Sequence, residues 1–126
     1  MSLTKFPYGV ENGLITVYTG AADAIAFPGT AVLNRAGAVD AATLATPVAG
    51  DSLGILNLDG DDDKILHIIN GATQANTVTA ASGKIQDGTV TPKTTITFAA
   101  FVGANILLKA YNGFWVVLSS QGVTLT

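Results

Sequence analysis

The chain has 126 residues, the length of one domain; 48% are hydrophobic and only 12% are charged, against about 25% charged in an average soluble domain. The net charge is −3, and the basic residues stand singly at Lys5, Arg35, Lys64, Lys84, Lys93 and Lys109, which excludes the basic stripe that phosphate neutralisation needs. No apolar run approaches the ~20 residues of a membrane helix, and the lack of cysteine removes disulfides, a thiolate nucleophile and Cys-based zinc sites.

The sequence therefore predicts neither direct nucleic-acid binding nor a membrane partner. A mean hydropathy of +0.45 with so few charges would leave a lone molecule poorly solvated. Much of the surface is expected to be covered when the protein is at work.

In chain order, residues 1–13 read as an extended arm. It is apolar at Leu3, Phe6, Tyr8 and Val10, stiffened by Pro7, and free of helical periodicity. Such a segment, with its backbone groups unpaired, can add to the edge of a neighbouring sheet. Residues 14–126 read as a single β domain, because Thr, Val, Ile and Ala dominate and Gly occurs 14 times as punctuation. Every acid except Glu11 is aspartate, a poor helix former that favours turns.

Strands are predicted at 14–18, 31–34, 52–58, 64–70, 77–80 and 84–86. The segment 94–99 (TTITFA) alternates, with Ile96 and Phe98 on one face. Segment 39–49, with Pro47 and several Thr, reads as strand or loop rather than helix. Asn112-Gly113 lies between two apolar runs and marks a type I′ hairpin. A two-residue loop pairs Tyr111 with Phe114, Ala110 with Trp115, Lys109 with Val116, Leu108 with Val117 and Leu107 with Leu118.

One face of the ribbon then carries Leu107, Lys109, Tyr111, Phe114, Val116 and Leu118. The other carries Ile106, Leu108, Ala110, Trp115 and Val117. Both are apolar, whereas a small antiparallel domain ordinarily keeps one wet face. The predicted fold is all-β: a small antiparallel β-sandwich or jelly-roll-like barrel with an extended N-terminal arm.

Chemistry-bearing motifs are few. Asp59, Asp61 and Asp63 belong to the one acid cluster and are the only candidates for a calcium site. Lys64 stands where an EF-hand glycine belongs and Asn70 where its bidentate Glu belongs, so the cluster reads as a solvated turn over 59–63. His67, the sole histidine, has no second His or Cys to form a metal set and reads as a packed residue. No nucleophile elbow, phosphate loop or dinucleotide fingerprint occurs. The expectation is a protein that is not an enzyme and takes no metal or cofactor. Tyr111, Phe114 and Trp115 cluster at the hairpin tip. They suit either a stacking platform for a sugar or base or the filling of core and interface.

Four phrases carry a resemblance: SLTKFPYGV, VDAATLATPVAGDSLGILNL, ILHIINGATQANTVTAAS and TTITFAAFVGANILLKAYNGFWVVLSSQGVTL. Together they resemble the small decoration (cement) and head-fibre proteins of tailed bacteriophage capsids, over roughly residues 1–10 and 40–126. Residues 14–38 do not share it. The resemblance implies a homotrimer on the outer capsid surface of the virion, made in the bacterial cytoplasm. Such a trimer bridges major capsid protein subunits and carries no catalytic residues. On this reading Leu3, Phe6, Pro7, Tyr8 and Val10 of the arm grip the capsid, and Ile106, Leu108, Trp115 and Val117 meet sister copies. A fibre module that binds host-surface glycans through the tip aromatics is the alternative.

Overall fold

The computed structural model describes residues 14–50 and 60–126. The described residues form strands, turns and loops without a helix. The strands are β1 (Ile15–Tyr18), β2 (Ala24–Ile25), β3 (Gly29–Leu33), β4 (Ala41–Leu44), β5 (Ile65–Asn70), β6 (Thr77–Thr79), β7 (Ile85–Gln86), β8 (Thr95–Phe98), β9 (Asn105–Tyr111), β10 (Phe114–Gln121) and β11 (Val123–Leu125). The fold is all-β, as the composition predicts. The arm over 1–13 and the strand predicted over 52–58 lie outside the described residues.

Two sheets form, a six-stranded one in the order β1-β3-β5-β9-β10-β7 and a five-stranded one in the order β11-β8-β6-β4-β2. Alternation sorts the side chains. In β3 and β5 every second residue is buried, so Ala31, Leu33, Leu66 and Ile68 face inward. From the other sheet Ile25, Ala42, Leu44, Val78, Ile96 and Phe98 join the same buried cluster. The sheets thus share one core, sandwich fashion.

The expected antiparallel arrangement needs correction. β1 runs parallel to β3, β3 to β5, β2 to β4, β4 to β6 and β7 to β10. From β1 to β9 each successive strand lies in the opposite sheet. Over β1 to β6 the returning strand lies beside the previous one in its sheet and parallel to it, whereas β8 returns antiparallel to β6. Antiparallel ladders remain at β5–β9, β9–β10, β6–β8 and β8–β11.

The β9–β10 hairpin turns at Asn112 and Gly113, with φ of 51° and 82°, the signs a type I′ turn demands. Its pairing follows expectation from Tyr111↔Phe114 to Leu108↔Val117. Leu107 then pairs with Ser119 rather than Leu118, because a bulge inserts Leu118 as an unpaired residue.

One end of the sandwich is tied by buried polar groups. Asn76 Oδ1 accepts the Asp40 amide at 2.7 Å, and Asn76 Nδ2 donates to Asn70 Oδ1 at 2.9 Å. Asn70 Nδ2 in turn donates to the carbonyls of Gln74 and Ala99, both at 2.9 Å. Asn70 ends β5 in one sheet and Asn76 precedes β6 in the other, so this network joins the two layers.

Candidate functional site

The inward side of the terminal ribbon is the core itself. Ile106, Leu108, Ala110 and Trp115 are fully buried within the single chain. Trp115 meets Phe27 edge-on, with ring centroids 4.8 Å apart at 87°, and its indole N–H donates to the Ala45 carbonyl at 3.0 Å. Val117 is partly buried and packs on the same cluster. This corrects the assignment of Ile106, Leu108, Trp115 and Val117 to contacts between copies. Their face is covered by the chain's own five-stranded sheet, and Ile106, Leu108 and Trp115 have no exposed surface to offer a partner.

The outer face of the five-stranded sheet carries threonines such as Thr77, Thr79, Thr95 and Thr97, and the outer face of the six-stranded sheet carries more aliphatic residues. Cross-strand register places Ile15 beside Thr30, Thr30 beside His67 and His67 beside Leu107. The adjacent row runs Val17, Val32, Ile69 and Asn105. A third row holds Ile65, Lys109 and Val116. Ile15 and Val17 are 59% and 54% exposed, Leu118 49%. The central residues are half-buried by their neighbours. The face is mixed: aliphatic at Ile15, Val17, Val32, Ile65, Ile69, Leu107 and Val116, and polar at Thr30, His67, Asn105, Lys109, Ser119 and Gln121.

Three of its polar groups have defined partners. His67 Nε2 lies 3.0 Å from Asn105 Oδ1, and Asn105 Nδ2 donates to the Gly103 carbonyl at 2.9 Å. The amide is thereby oriented with its oxygen toward the ring, so Nε2 is the donor. His67 is half-buried and held by the amide carbonyl of Asn105, between Thr30 and Leu107 in its row. Lys109, the cation of this face, pairs with Asp63 at 3.1 Å.

The acid turn is spent on holding the hairpin tip. Asp61 Oδ1 takes the Lys64 ammonium at 2.7 Å, and its Oδ2 accepts the Val48 amide at 2.7 Å. The Lys64 bond, and then the Val48 N–H, hold the Asp61 carboxyl below the usual carboxylate range. Asp62 Oδ1 accepts the Asn112 amide at 2.8 Å. Among the described residues no three His, Asp or Glu side chains gather as a metal set. Asp59, the third candidate ligand, lies outside the described residues, as do Leu3, Phe6, Pro7, Tyr8 and Val10 of the arm.

The tip aromatics separate. Trp115 is buried, Phe114 lies under the Lys84 ammonium at 4.6 Å, and Tyr111 is 62% exposed. Sequence reasoning missed the Lys84–Phe114 contact, which arises from the β7–β10 pairing that no local pattern announces. It also missed the role of Ile15 and Val17 as the rim of this outer face. Their alternation was legible, but the placement of β1 beside β3 was not. No protein-family model matches the chain, and no curated protein matches it either.

Proposed function

We propose that the chain is a non-enzymatic capsid decoration (cement) protein of a tailed bacteriophage. It assembles as a homotrimer, binds the outer capsid surface, and stabilises the shell by bridging major capsid subunits. The observation that carries the reading is the set of aliphatic residues on the outer face of the six-stranded sheet, Ile15, Val17, Val32, Ile65, Ile69, Leu107 and Val116, on a chain with only 12% charged residues. Such a face is stabilised by burial against other copies, at roughly 25 cal/mol per Å² of apolar surface removed from water. The contact surface between copies is therefore assigned to the side bearing Ile15, Val17, Ile69 and Leu107, opposite the Trp115 side. A closed trimer also hides sheet edges that would otherwise invite open-ended association.

The effect on the shell is mass action. A trimer that binds the assembled capsid and not its dissociated subunits shifts the equilibrium toward the assembled form. The resemblance in the terminal ribbon and in residues 1–10 supports the placement on a capsid. For a glycan-binding fibre module, the three tip rings would have to be open to solvent together. Trp115 is buried and Phe114 is capped by Lys84, so the decoration reading fits the ribbon better. Cryo-microscopy of particles carrying the protein tests it. Density as knobs at three-fold positions over the shell is the expected result. Density confined to fibre tips would overturn it.

A further inference from the structure

Asp40 is the one ionisable residue fully buried among the described residues. It stands just before β4, and Asp23 stands just before β2. Asp40 Oδ1 accepts the Asp23 amide at 3.2 Å, while Oδ2 is buried with no hydrogen-bond partner. The bond from the Asp23 amide sets the two acids side by side, and the Asp23 carboxyl accepts the Gly20 amide at 2.8 Å. Two adjacent carboxylates cannot both ionise cheaply, least of all when one oxygen is buried and unpaired. A proton on Asp40 Oδ2 donates to Asp23 and removes both the repulsion and the orphaned acceptor.

The surroundings supply no other remedy. Asn76, packed against Asp40 from the start of β6, is neutral, as is Asn70 behind it at the end of β5. The one cation acting on Asp40 is Arg35, after β3, and its guanidinium donates to the Val39 carbonyl at 2.8 Å. The acid pair also sits where the sheet is thinnest. β2 has two residues and forms an edge of the five-stranded sheet. The connection into it is held by Ala41 N–H to Ala21 O at 2.9 Å and Thr43 N–H to Asp23 O at 2.8 Å.

We infer that Asp23 and Asp40 share one proton, and that this proton latches the edge strand β2 onto β4. Losing it sets two carboxylates against each other, loosens β2, and bares the Ala41 and Thr43 amides on the β4 edge, where another strand can pair. Burial first, and then the Asp23 carboxyl, raise the Asp40 acid above its ordinary 3.8. Because the folded value is raised, the latch contributes fully below the ordinary value and is lost as pH rises through the raised one. This inference is independent of the capsid reading.

Amide hydrogen exchange tests it, with each rate divided by its intrinsic rate, between about pH 4 and about pH 8. In the natural protein, protection at Ala41 and Thr43 falls as pH rises. The loss is about tenfold for each unit by which the fold raises the shared acid. Protection at Ile68, in the other sheet, stays constant. In Asp40→Asn the amide keeps Oδ1 and donates from Nδ2 to Asp23, so protection at Ala41 and Thr43 is flat with pH. Asp23→Asn gives the same flat profile should the first variant not fold. Flat protection in the natural protein, or a fall that persists in both variants, overturns the latch. So does recovery of protection at the high-pH end on adding calcium alone, which would put a bridging cation where we place the proton.

Discussion

Trp115 is held on every side: buried between the sheets, edge-on to Phe27, and tied by its N–H to Ala45. Truncation leaves a large cavity and an unpaired carbonyl. Trp115→Ala should therefore lower the unfolding free energy by about 3–5 kcal/mol, read from urea denaturation. Asp61 makes a different prediction. Its carboxyl is held below 3.8 by Lys64 and the Val48 amide, so its stabilising effect is complete above the ordinary value and lost as pH falls through the lowered one. Asp61→Asn should be less stable than the natural protein near neutrality, and the gap should close on acidification. A gap independent of pH would contradict the charge-assisted bonds. At both residues the chemistry was partly legible. Asp-rich 59–63 read as a turn, and it is one over its described part. The partners Val48 and Asn112 were not readable, because they lie far along the chain.

The ribbon β9–β10 shows what local pattern can and cannot settle. Asn112-Gly113 announces the turn because only a few residue types accept positive φ at both central positions. Gly113→Ala, at φ 82°, should cost about 1 kcal/mol in thermal or urea unfolding. The buried face of β8, with Ile96 and Phe98, was likewise legible as alternation. Which side of the terminal ribbon faces the core was not. Both sides are aliphatic, and period-two patterning says that faces differ without saying which is inside. The parallel pairs were hidden for a related reason. Turns such as Gly37 carry the same small residues whether the chain folds back within a sheet or crosses to the other one. The polar tie was hidden too, since Asn70-Gly71 reads as a turn signal. Asn70→Ala should cost about 1–3 kcal/mol by orphaning buried carbonyls, and should loosen the two sheets together.

For the molecule as a whole, sparse charge and the aliphatic residues of the outer sheet point the same way. The chain covers the Trp115 side with its own second sheet, and in the proposed assembly the opposite side meets other copies. Leu107 lies near the middle of that side, half-buried and turned away from the core. Leu107→Glu places a charge there without opening the core, so it should abolish association while leaving the far-ultraviolet β signature in place. A variant that stays assembled would move the interface elsewhere. The proton latch at Asp23 and Asp40 belongs to the other sheet and should be indifferent to this substitution. The most direct measurement is light scattering of the purified chain at micromolar concentration. The account predicts a mass three times 12.8 kDa for the natural protein, collapsing to the single-chain mass in Leu107→Glu. A natural protein that scatters as a stable 12.8 kDa monomer throughout that range would contradict it.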